Sequence, residues 1–324
     1  MKTLEIRSIL AATDLSETSN EVLHAAAAVA GRTGAALHVL HVYDFPPNPY
    51  LDLLDGTPTF QDRIRSSEMA LDDQLAAAGV SAASRQVVID VPRRAILARA
   101  LAVSADLIVV GPHKKGGLEQ RFFGSTADRV VRSADAPCLV VRCRLNLPLR
   151  RVVVPMDLSD PAREALDLAL DWGWQLGPGD APSVGPSLDV RVVHVLPAAL
   201  LGAGALPSGH ARVGPELHRD VAAALGRSGH TANVCVREEL LWGSTEAEEI
   251  VRYAADEGAD LLVLATHGRG AVSRALIGSV TSAVARDARG CVLLVPPALW
   301  RSQRGEGTPP HADRNSNDTP FQGA

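Results

Sequence analysis

The stretch ADLIVVGPHKKGGLEQRFFGSTADRVVRSADAPCLVVR, residues 105–142, returns later in the chain as ADLLVLATHGRGAVSRALIGSVTSAVARDARGCVLLVP, residues 259–296. A second matching pair precedes these stretches: RSILAATDLSETSNEVLHAAAAVAGRTGAALHVLHVY from Arg7, and RRVVVPMDLSDPAREALDLALDWGWQLG from Arg150. Self-similarity on this scale indicates two domains of one fold. The corresponding positions include Asp14 and Asp157, His41 and His194, Gly111 and Ala265, and Gly124 and Gly278.

Length and composition fit this repeat. The chain has 324 residues and is 46% hydrophobic, so each half is large enough to bury a core of its own. We predict a first domain over residues 1–146 and a second over residues 147–297. The polar, Pro- and Gly-rich end, residues 298–324, is predicted to be a disordered tail.

Charge and cysteine usage argue against several classes of protein. A net charge of −5 disfavours nucleic acid as a partner, because nucleic-acid binders cluster positive charge. No uninterrupted apolar run reaches the roughly 20 residues of a membrane span, and the first residues do not resemble an export signal. The four cysteines form no C-x-x-C pair, which is typical of reduced, packed thiols. We therefore expect a cytoplasmic protein without a membrane partner.

Short β-branched runs alternate with longer helical patterns in each copy, as in a parallel sheet covered on both faces. The sequence predicts an α/β protein of two tandem doubly wound domains, each a five-stranded parallel sheet flanked by four helices. The predicted strands are Ser8–Ala12, Ala36–Val42, Arg85–Ile89, Asp106–Val110 and Cys138–Val141 in the first copy, and Val152–Pro155, Val190–Val195, Val234–Val236, Leu261–Leu264 and Val292–Val295 in the second.

The first helix is predicted over Glu17–Gly31, with Ser16 as its N-cap and Gly31 as its C-cap. Four small or branched apolar residues recur at helical spacing and should form its buried stripe. These are Val22, Ala25, Ala26 and Val29.

In open sheets of this type a ligand lies beyond the carboxyl ends of the strands, where the strand order reverses. The residues that follow the first, second and fourth strands of each copy are therefore the candidates for a site. The segment LPAALLGAGALPSGHARVGPE, residues 196–216, is interpreted as a loop. It is either a flexible cover over the site or an ordinary surface connection.

The glycine-rich stretch from Ala265 to Thr281 is the main candidate for chemistry. Glycines let the backbone approach a ligand closely, and Gly278-Ser279 opens a predicted helix whose free N–H groups suit an anion. In a single copy these residues would be read as a turn and a helix cap, but their repetition, each time with an Asp after strand one, favours a phosphate cradle. The chain has no G-x-x-x-x-G-K-[ST] motif and no complete dinucleotide fingerprint.

These residues together resemble the universal stress protein family, over essentially the whole chain except the tail. The resemblance rests on Asp-Leu-Ser after strand one, His-Val at the end of strand two, Ala-Asp-Leu-(Ile/Leu)-Val before the glycine-rich stretch, and a G-x-x-G-x(nine)-G-[ST] pattern whose first glycine is Ala265 here. It implies an adenine nucleotide alpha hydrolase-like fold and binding of ATP or a related adenine nucleotide with Mg²⁺. Carried over residue by residue, it implies a nucleotide site in the second copy at Asp157, Val195, Gly268, Gly278, Ser279 and Val280. Ala265, His267 and Thr281 of the same glycine-rich stretch are added to this predicted site.

A second candidate site in the first copy departs further from the family pattern. Lys114 stands where the second glycine belongs, at a cost of about 1 kcal/mol if that position takes positive φ. The Lys114 side chain either clamps a phosphate as a point charge, or it fills the pocket or lies in solvent. In the latter case the first domain is structural or regulatory while the second binds nucleotide. The residues of this candidate site are Asp14, Val42, Gly111, Lys114, Gly124, Ser125 and Thr126.

Other residues in the pattern have simpler interpretations. His113 and His267 lie beside the cradles without a carboxylate and a nucleophile in the motif, so hydrogen bonding or loop packing is favoured over catalysis. His38 and His41 face opposite sides of a strand, which argues against a metal site. Trp242, placed just after strand three, either packs in the core or borders the ligand.

The last strand of each copy would be an exposed sheet edge in an isolated domain. Universal stress protein domains associate through this strand, so the resemblance implies an internal pseudo-dimer through Cys138–Val141 and Val292–Val295. A homodimer of chains stays open.

Three functions stay open from the sequence. The first is a stress-response regulator that binds adenine nucleotide, mainly in the second domain, and changes its interaction with a protein partner; at most it hydrolyses ATP slowly. The second is an ATP-hydrolysing or adenylyl-transferring enzyme of the same fold group. The third is a nucleotide-free scaffold.

Overall fold

The computed structural model describes residues 4–44, 59–111, 125–178, 188–202, 208–228, 234–268 and 277–297. In the amino-terminal half they form β1 Ser8–Thr13, α1 Asn20–Thr33, β2 Ala36–Tyr43, α2 Phe60–Ala78, β3 Ser84–Ile89, α3 Pro92–Ala102, β4 Leu107–Val110, α4 Ser125–Ser133 and β5 Cys138–Val140. In the carboxy-terminal half they form β6 Arg151–Pro155, α5 Asp160–Leu176, β7 Leu188–Pro197, α6 Ser208–Ala211, α7 Val213–Arg227, β8 Val234–Gly243, α8 Glu246–Asp256, β9 Leu261–Ala265, α9 Ser279–Asp287 and β10 Cys291–Val295.

All ten strands belong to one continuous sheet in the order β3-β2-β1-β4-β5-β10-β9-β6-β7-β8. Within each half the strands are parallel and the order is doubly wound, as predicted. The order reverses between β1 and β4 in one half and between β6 and β9 in the other. Each reversal creates a crevice at the carboxyl ends of those strands.

The two halves join through β5 and β10, which pair antiparallel with Leu139 opposite Leu293. The predicted pairing of the last strands is therefore present. A second contact places the start of the chain on α5, where the indole N–H of Trp172 donates to the carbonyl of Leu4 at 2.9 Å. The side-chain amide of Gln175 donates to the same carbonyl at 2.7 Å.

Each face of the sheet carries one apolar core that draws on both halves. One face holds α1, α2, α5 and α7, with the predicted stripe of α1 fully or almost fully buried. The other face holds α3, α4, α8 and α9, including the buried side chains of Val130 and Val284. Because each core includes residues from both halves, the halves stabilise one another.

The predicted bounds of the first helix were wrong at both ends. Glu17–Ser19 forms a 3₁₀ turn before α1, and the hydroxyl of Ser16 donates to Asp14 rather than capping the helix. The C-cap is Gly34, whose φ is 74° and whose N–H donates to the carbonyl of Ala30 at 2.8 Å. Gly31 lies inside the helix. The left-handed conformation that ends a helix is required at Gly34, three residues later than predicted.

Two predictions in the carboxy-terminal half also need correction. Strand β8 continues to Gly243, well past Val236, because its charged stretch forms an edge strand paired only with β7. The described parts of the stretch interpreted as the loop 196–216 form regular structure: β7 ends at Pro197, a 3₁₀ turn spans Ala198–Gly202, and two helices begin at Ser208 and Val213. The other predicted strands agree to within about one or two residues.

None of the described helices is long and apolar enough to cross a bilayer. The predicted tail, residues 298–324, lies outside the described residues.

Candidate functional site

The same Asp-Leu-Ser turn follows the first strand of each half. Leu15 and Leu158 both lie in the left-handed region, with φ of 61° and 62°. This conformation costs a residue other than glycine about 1 kcal/mol. In the second half, Oδ1 of Asp157 accepts hydrogen bonds from the backbone N–H of Ser159, at 3.0 Å, and from its hydroxyl. These bonds hold the carboxylate at the carboxyl end of β6, in a turn whose strain the sequence pattern did not reveal.

A histidine of the second strand fixes each of these turns from the side. The Nδ1–H of His194 donates to the carbonyl of Met156 at 2.6 Å, and that of His41 donates to the carbonyl of Thr13 at 2.9 Å. Each bond ties the end of strand two to the residue just before the aspartate. The histidines therefore position the turns. Among the described residues, no group of three or more His, Cys, Asp or Glu side chains could hold a metal ion.

The end of β9 is held by hydrogen bonds to its neighbours. The backbone N–H of Thr266 donates to Val295 at 2.9 Å, and the N–H of Gly278 donates to Thr266 at the same distance. The hydroxyl of Thr281 donates to the carbonyl of Ala265 at 2.9 Å. Nδ1 of the buried His267 shares a 2.9 Å hydrogen bond with the hydroxyl of Thr266. His267 thus takes part in packing the loop, as favoured from the sequence.

Gly268 is required by a close approach. A Cβ atom added there would overlap Oδ2 of Asp157. The φ of Gly268 is not positive, so this position does not need glycine for a left-handed backbone conformation. The backbone after β9 passes over the carboxylate only because residue 268 has no side chain.

Ala265, which departs from the family pattern, has a packing explanation. At the equivalent position in the first half, a Cβ on Gly111 would lie 2.9 Å from a methyl carbon of Val22. The residue corresponding to Val22 in the second half is the smaller Ala165, which is fully buried. We infer that Ala165 leaves room for the extra methyl group, so the departure does not close the crevice.

Helix α9 directs its amino terminus towards the same crevice. Its N-cap, Gly278, has no side chain with which to cap the helix, and its first turn contains no acidic residue. A Cβ at Gly278 would meet only ordinary contacts, the nearest at 3.7 Å from the hydroxyl of Thr281. Packing against the described residues therefore does not require glycine here. The first N–H groups and the positive end of the helix dipole suit an anion.

These elements surround a cavity of about 670 Å³ at the carboxyl ends of β6 and β9. This volume is in the range of pockets that hold small-molecule ligands. The structure brings all the residues predicted for the site in the second copy together around this cavity, although their role in binding stays a prediction. They are Asp157, Val195, Ala265, His267, Gly268, Gly278, Ser279, Val280 and Thr281.

The second candidate site is only partly described. Asp14 and Ser125 are exposed, whereas Val42, Gly111 and Thr126 are half-buried at the carboxyl ends of their strands or in the first turn of α4. Lys114, Gly124 and His113 lie outside the described residues.

Sequence reasoning missed two polar residues that line the cavity, His210 on α6 and Glu246 at the start of α8. Both follow the carboxyl end of a strand, so the topology rule could have found them. His210 was missed because its segment was interpreted as a loop. Trp242 lies within β8 opposite Leu196 and packs against the core, and it is not among the described residues around the cavity.

The charged residues among the described lining of the cavity are acidic. Asp157 and Glu246 supply carboxylates, and the described residues around the cavity include no Lys or Arg. An anionic ligand would therefore depend on the N–H groups of α9 and on an accompanying cation for its charge.

Comparison with known proteins gives the family. The model of the universal stress protein family matches residues 5–142 and again residues 148–296. A universal stress protein of Thermus aquaticus is 34% identical over 140 residues, covering 42% of this chain and 98% of its own. Universal stress protein A homolog 1 of Coxiella burnetii is 30% identical over 141 residues, covering 43% of this chain and 97% of its own.

A solved structure shares the fold across nearly the whole chain. The crystal structure of a universal stress protein from Archaeoglobus fulgidus covers 90% of this chain and 97% of its own, with a TM-score of 0.60 and 20% sequence identity. The two family matches and this shared tandem architecture lead to one conclusion: the chain is a tandem two-domain member of the universal stress protein family.

Proposed function

We propose that the carboxy-terminal half binds ATP or a related adenine nucleotide, together with Mg²⁺, and that occupancy changes the interaction of this stress-response protein with a partner protein. The observation that carries the proposal is the cavity at the β6–β9 reversal, which joins an ordered aspartate to the open amino terminus of α9. A binding role is favoured over rapid turnover, with at most slow hydrolysis.

Glycine usage supports a ligand in this cavity. Gly268 is needed so that the backbone can lie against Asp157, whereas none of the described neighbours of Gly278 requires a glycine there. A glycine that packing does not require, at the amino terminus of a helix, suits close approach of a phosphate group. We assign the phosphates to Gly278, Ser279 and the first N–H groups of α9.

The remaining lining suits the base and ribose. Val195 lies at the carboxyl end of β7, and family resemblance gives this position the face of the adenine ring. The carboxylate of Asp157 is an acceptor for ribose hydroxyls or the adenine amino group. Because Asp157 and Glu246 repel phosphate, Mg²⁺ would reduce the net charge of the bound triphosphate.

The test is titration of ATP with Mg²⁺ into the full chain and into the matched variants Asp157→Ala and Asp14→Ala. Loss of a hydrogen bond to a charged group costs about 1.5–3 kcal/mol, so Asp157→Ala should weaken binding by about ten- to a hundredfold. Asp14→Ala removes the equivalent carboxylate of the other half and should leave the affinity of this site unchanged.

Other outcomes would count against the proposal. Equal weakening by the two variants would mean that the halves do not differ, and absence of binding by the unmodified chain would favour a nucleotide-free scaffold. Fast turnover that is lost in Asp157→Ala would instead support the enzyme hypothesis.

A further inference from the structure

Two of the four cysteines meet where the halves of the chain join. Cys143 follows β5, and Cys291 is the first residue of β10. The thiol of Cys291 donates to the carbonyl oxygen of Cys143 at 3.3 Å. These residues are far apart in sequence, so the antiparallel pairing of β5 with β10 is what brings them together.

The two thiols have different environments. Cys143 is exposed and Cys291 is buried. A hydrogen bond from Cys291 lowers the pKa of Cys143 to about 7, against the opposing effects of burial and of the Glu21 carboxylate. The contact with Cys143, together with burial, raises the pKa of Cys291. The lowered pKa increases the share of Cys143 that is thiolate, the nucleophilic form, near neutral pH.

We propose that Cys143 and Cys291 form a peroxide-responsive pair, in which exposed Cys143 is oxidised first and Cys291 then closes a disulfide across the β5–β10 junction. An accessible, reactive thiol beside a second thiol is the arrangement found in thiol-based redox sensors. The disulfide would join the last strands of the two halves covalently.

The chemistry uses hydrogen peroxide as the oxidant. The Cys143 thiolate attacks one peroxide oxygen, so that an S–O bond forms, the O–O bond breaks and the departing hydroxide takes up a proton to become water. The Cys291 sulfur then attacks the sulfenic sulfur of Cys143; the S–S bond forms, the S–O bond breaks, and hydroxide leaves with the Cys291 proton as a second water. Two thiols lose two electrons in total, and one peroxide is reduced to two waters.

The remaining cysteine of β5 does not compete with this pair. Cys138 is buried, and burial raises the pKa of its thiol to about 12. It therefore stays protonated and inaccessible in the folded chain, so oxidation should favour Cys143 over Cys138.

The experiment treats the full chain with an equimolar amount of hydrogen peroxide, alkylates the remaining thiols and maps the peptides by mass spectrometry without reduction. We expect loss of two thiols per chain, a linked peptide pair containing Cys143 and Cys291, and full recovery with dithiothreitol. Cys143→Ser should abolish the link, and Cys291→Ser should leave a sulfenic acid at Cys143 that dimedone traps. Cys235→Ser, outside the pair, is the matched control and should form the link normally.

Several results would overturn the proposal. They are no loss of thiols, a disulfide between two chains through Cys143, or accumulation of sulfinic acid at Cys143 without a link to Cys291. Because Cys291 is buried, the result for Cys291→Ser counts only after circular dichroism confirms that this variant folds. The exposed Cys143→Ser variant decides the proposal even where Cys291→Ser does not fold.

Discussion

The surroundings of the aspartate after strand one differ between the two halves of the molecule. Asp157 is half-buried, and the backbone at Gly268 lies directly against its carboxylate. Asp14 is exposed, and the sequence places Lys114 at the position equivalent to Gly268. The turn itself is the same in both halves, including its left-handed leucine. The repeat thus preserves the scaffold of the site, while the residue that allows close approach of the backbone is present in one half only.

The helices that follow the glycine-rich stretches differ in the same direction. The first turn of α4 contains Asp128, which pairs with Arg132 at 2.7 Å. The equivalent residue of α9 is Ser282, and the first turn of α9 has no acidic residue. A carboxylate near a helix amino terminus competes with an anionic ligand for the same N–H groups and dipole. This difference between α4 and α9 supports our proposal that the anion binds in the second half.

Replacement of Arg191 should have the largest effect, and on stability. Arg191 is 8% exposed and pairs with Asp189 at 2.9 Å and with Glu239, whereas the equivalent residue of the first half is His38. Arg191→Met leaves these carboxylates without their main partner and should cost about 3 kcal/mol of unfolding free energy, measured in urea.

The matched control is Arg237→Met, since Arg237 is mostly exposed and lies 3.8 Å from the same Asp189. It should cost less than about 1 kcal/mol. Equal losses of unfolding free energy from the two variants would show that the buried ion pairs of Arg191 do not add to the stability of the second half.

Adding one methyl group at Gly268 should have the next largest effect, and on binding. The new Cβ would displace the carboxylate of Asp157, and forced overpacking costs about 1–3 kcal/mol. Gly268→Ala should therefore weaken ATP binding by about ten- to a hundredfold, as read by calorimetry. Gly31→Ala, inside α1 with nothing within 4 Å of the new Cβ, is the control and should not weaken binding. Unchanged affinity for ATP in Gly268→Ala would show that the close contact between residue 268 and Asp157 does not explain the difference between the two halves.

The smallest effect concerns the pH dependence of stability in the first half. Burial, and after it the charge of Arg99, lowers the pKa of His38 below 6.5. Between the lowered pKa and 6.5 the unfolded chain binds more protons than the folded one, so this contribution to stability falls as the pH falls through that window. His38→Gln should make the loss of stability between pH 7 and about pH 5.5 shallower, as followed by thermal melting. An unchanged slope would contradict this assignment.

The sequence was sufficient to predict secondary structure where the apolar pattern directly reflects which residues are buried. The β-branched runs predicted most strands closely, and the family resemblance implied the pairing of β5 with β10 that the structure has. The sequence was insufficient where tertiary contacts or a single backbone angle set the bounds of an element. Pairing with β7 holds the charged residues of β8 in a strand, and Gly34 rather than Gly31 ends α1. These features depend on partners distant in sequence, or on one backbone angle.

The candidate site shows the same division. All nine residues predicted for the site in the second copy lie around one cavity, because the carboxyl ends of β6 and β9 meet at the reversal of strand order. His210 and Glu246 belong to no motif; both follow the carboxyl end of a strand, but the sequence pattern alone did not single them out among the residues of those segments. The steric role of Gly268 was likewise visible only once Asp157 had a position.

The most direct test of the difference between the halves is the stoichiometry of ATP binding, measured by isothermal titration in the presence of Mg²⁺ on the full chain and on the matched variants Gly278→Asp and Gly124→Asp. Our account predicts one site per chain, abolished by Gly278→Asp and retained in Gly124→Asp, because the added carboxylate repels phosphate only in the half that binds it. Two sites per chain, or one site lost in Gly124→Asp and retained in Gly278→Asp, would contradict it.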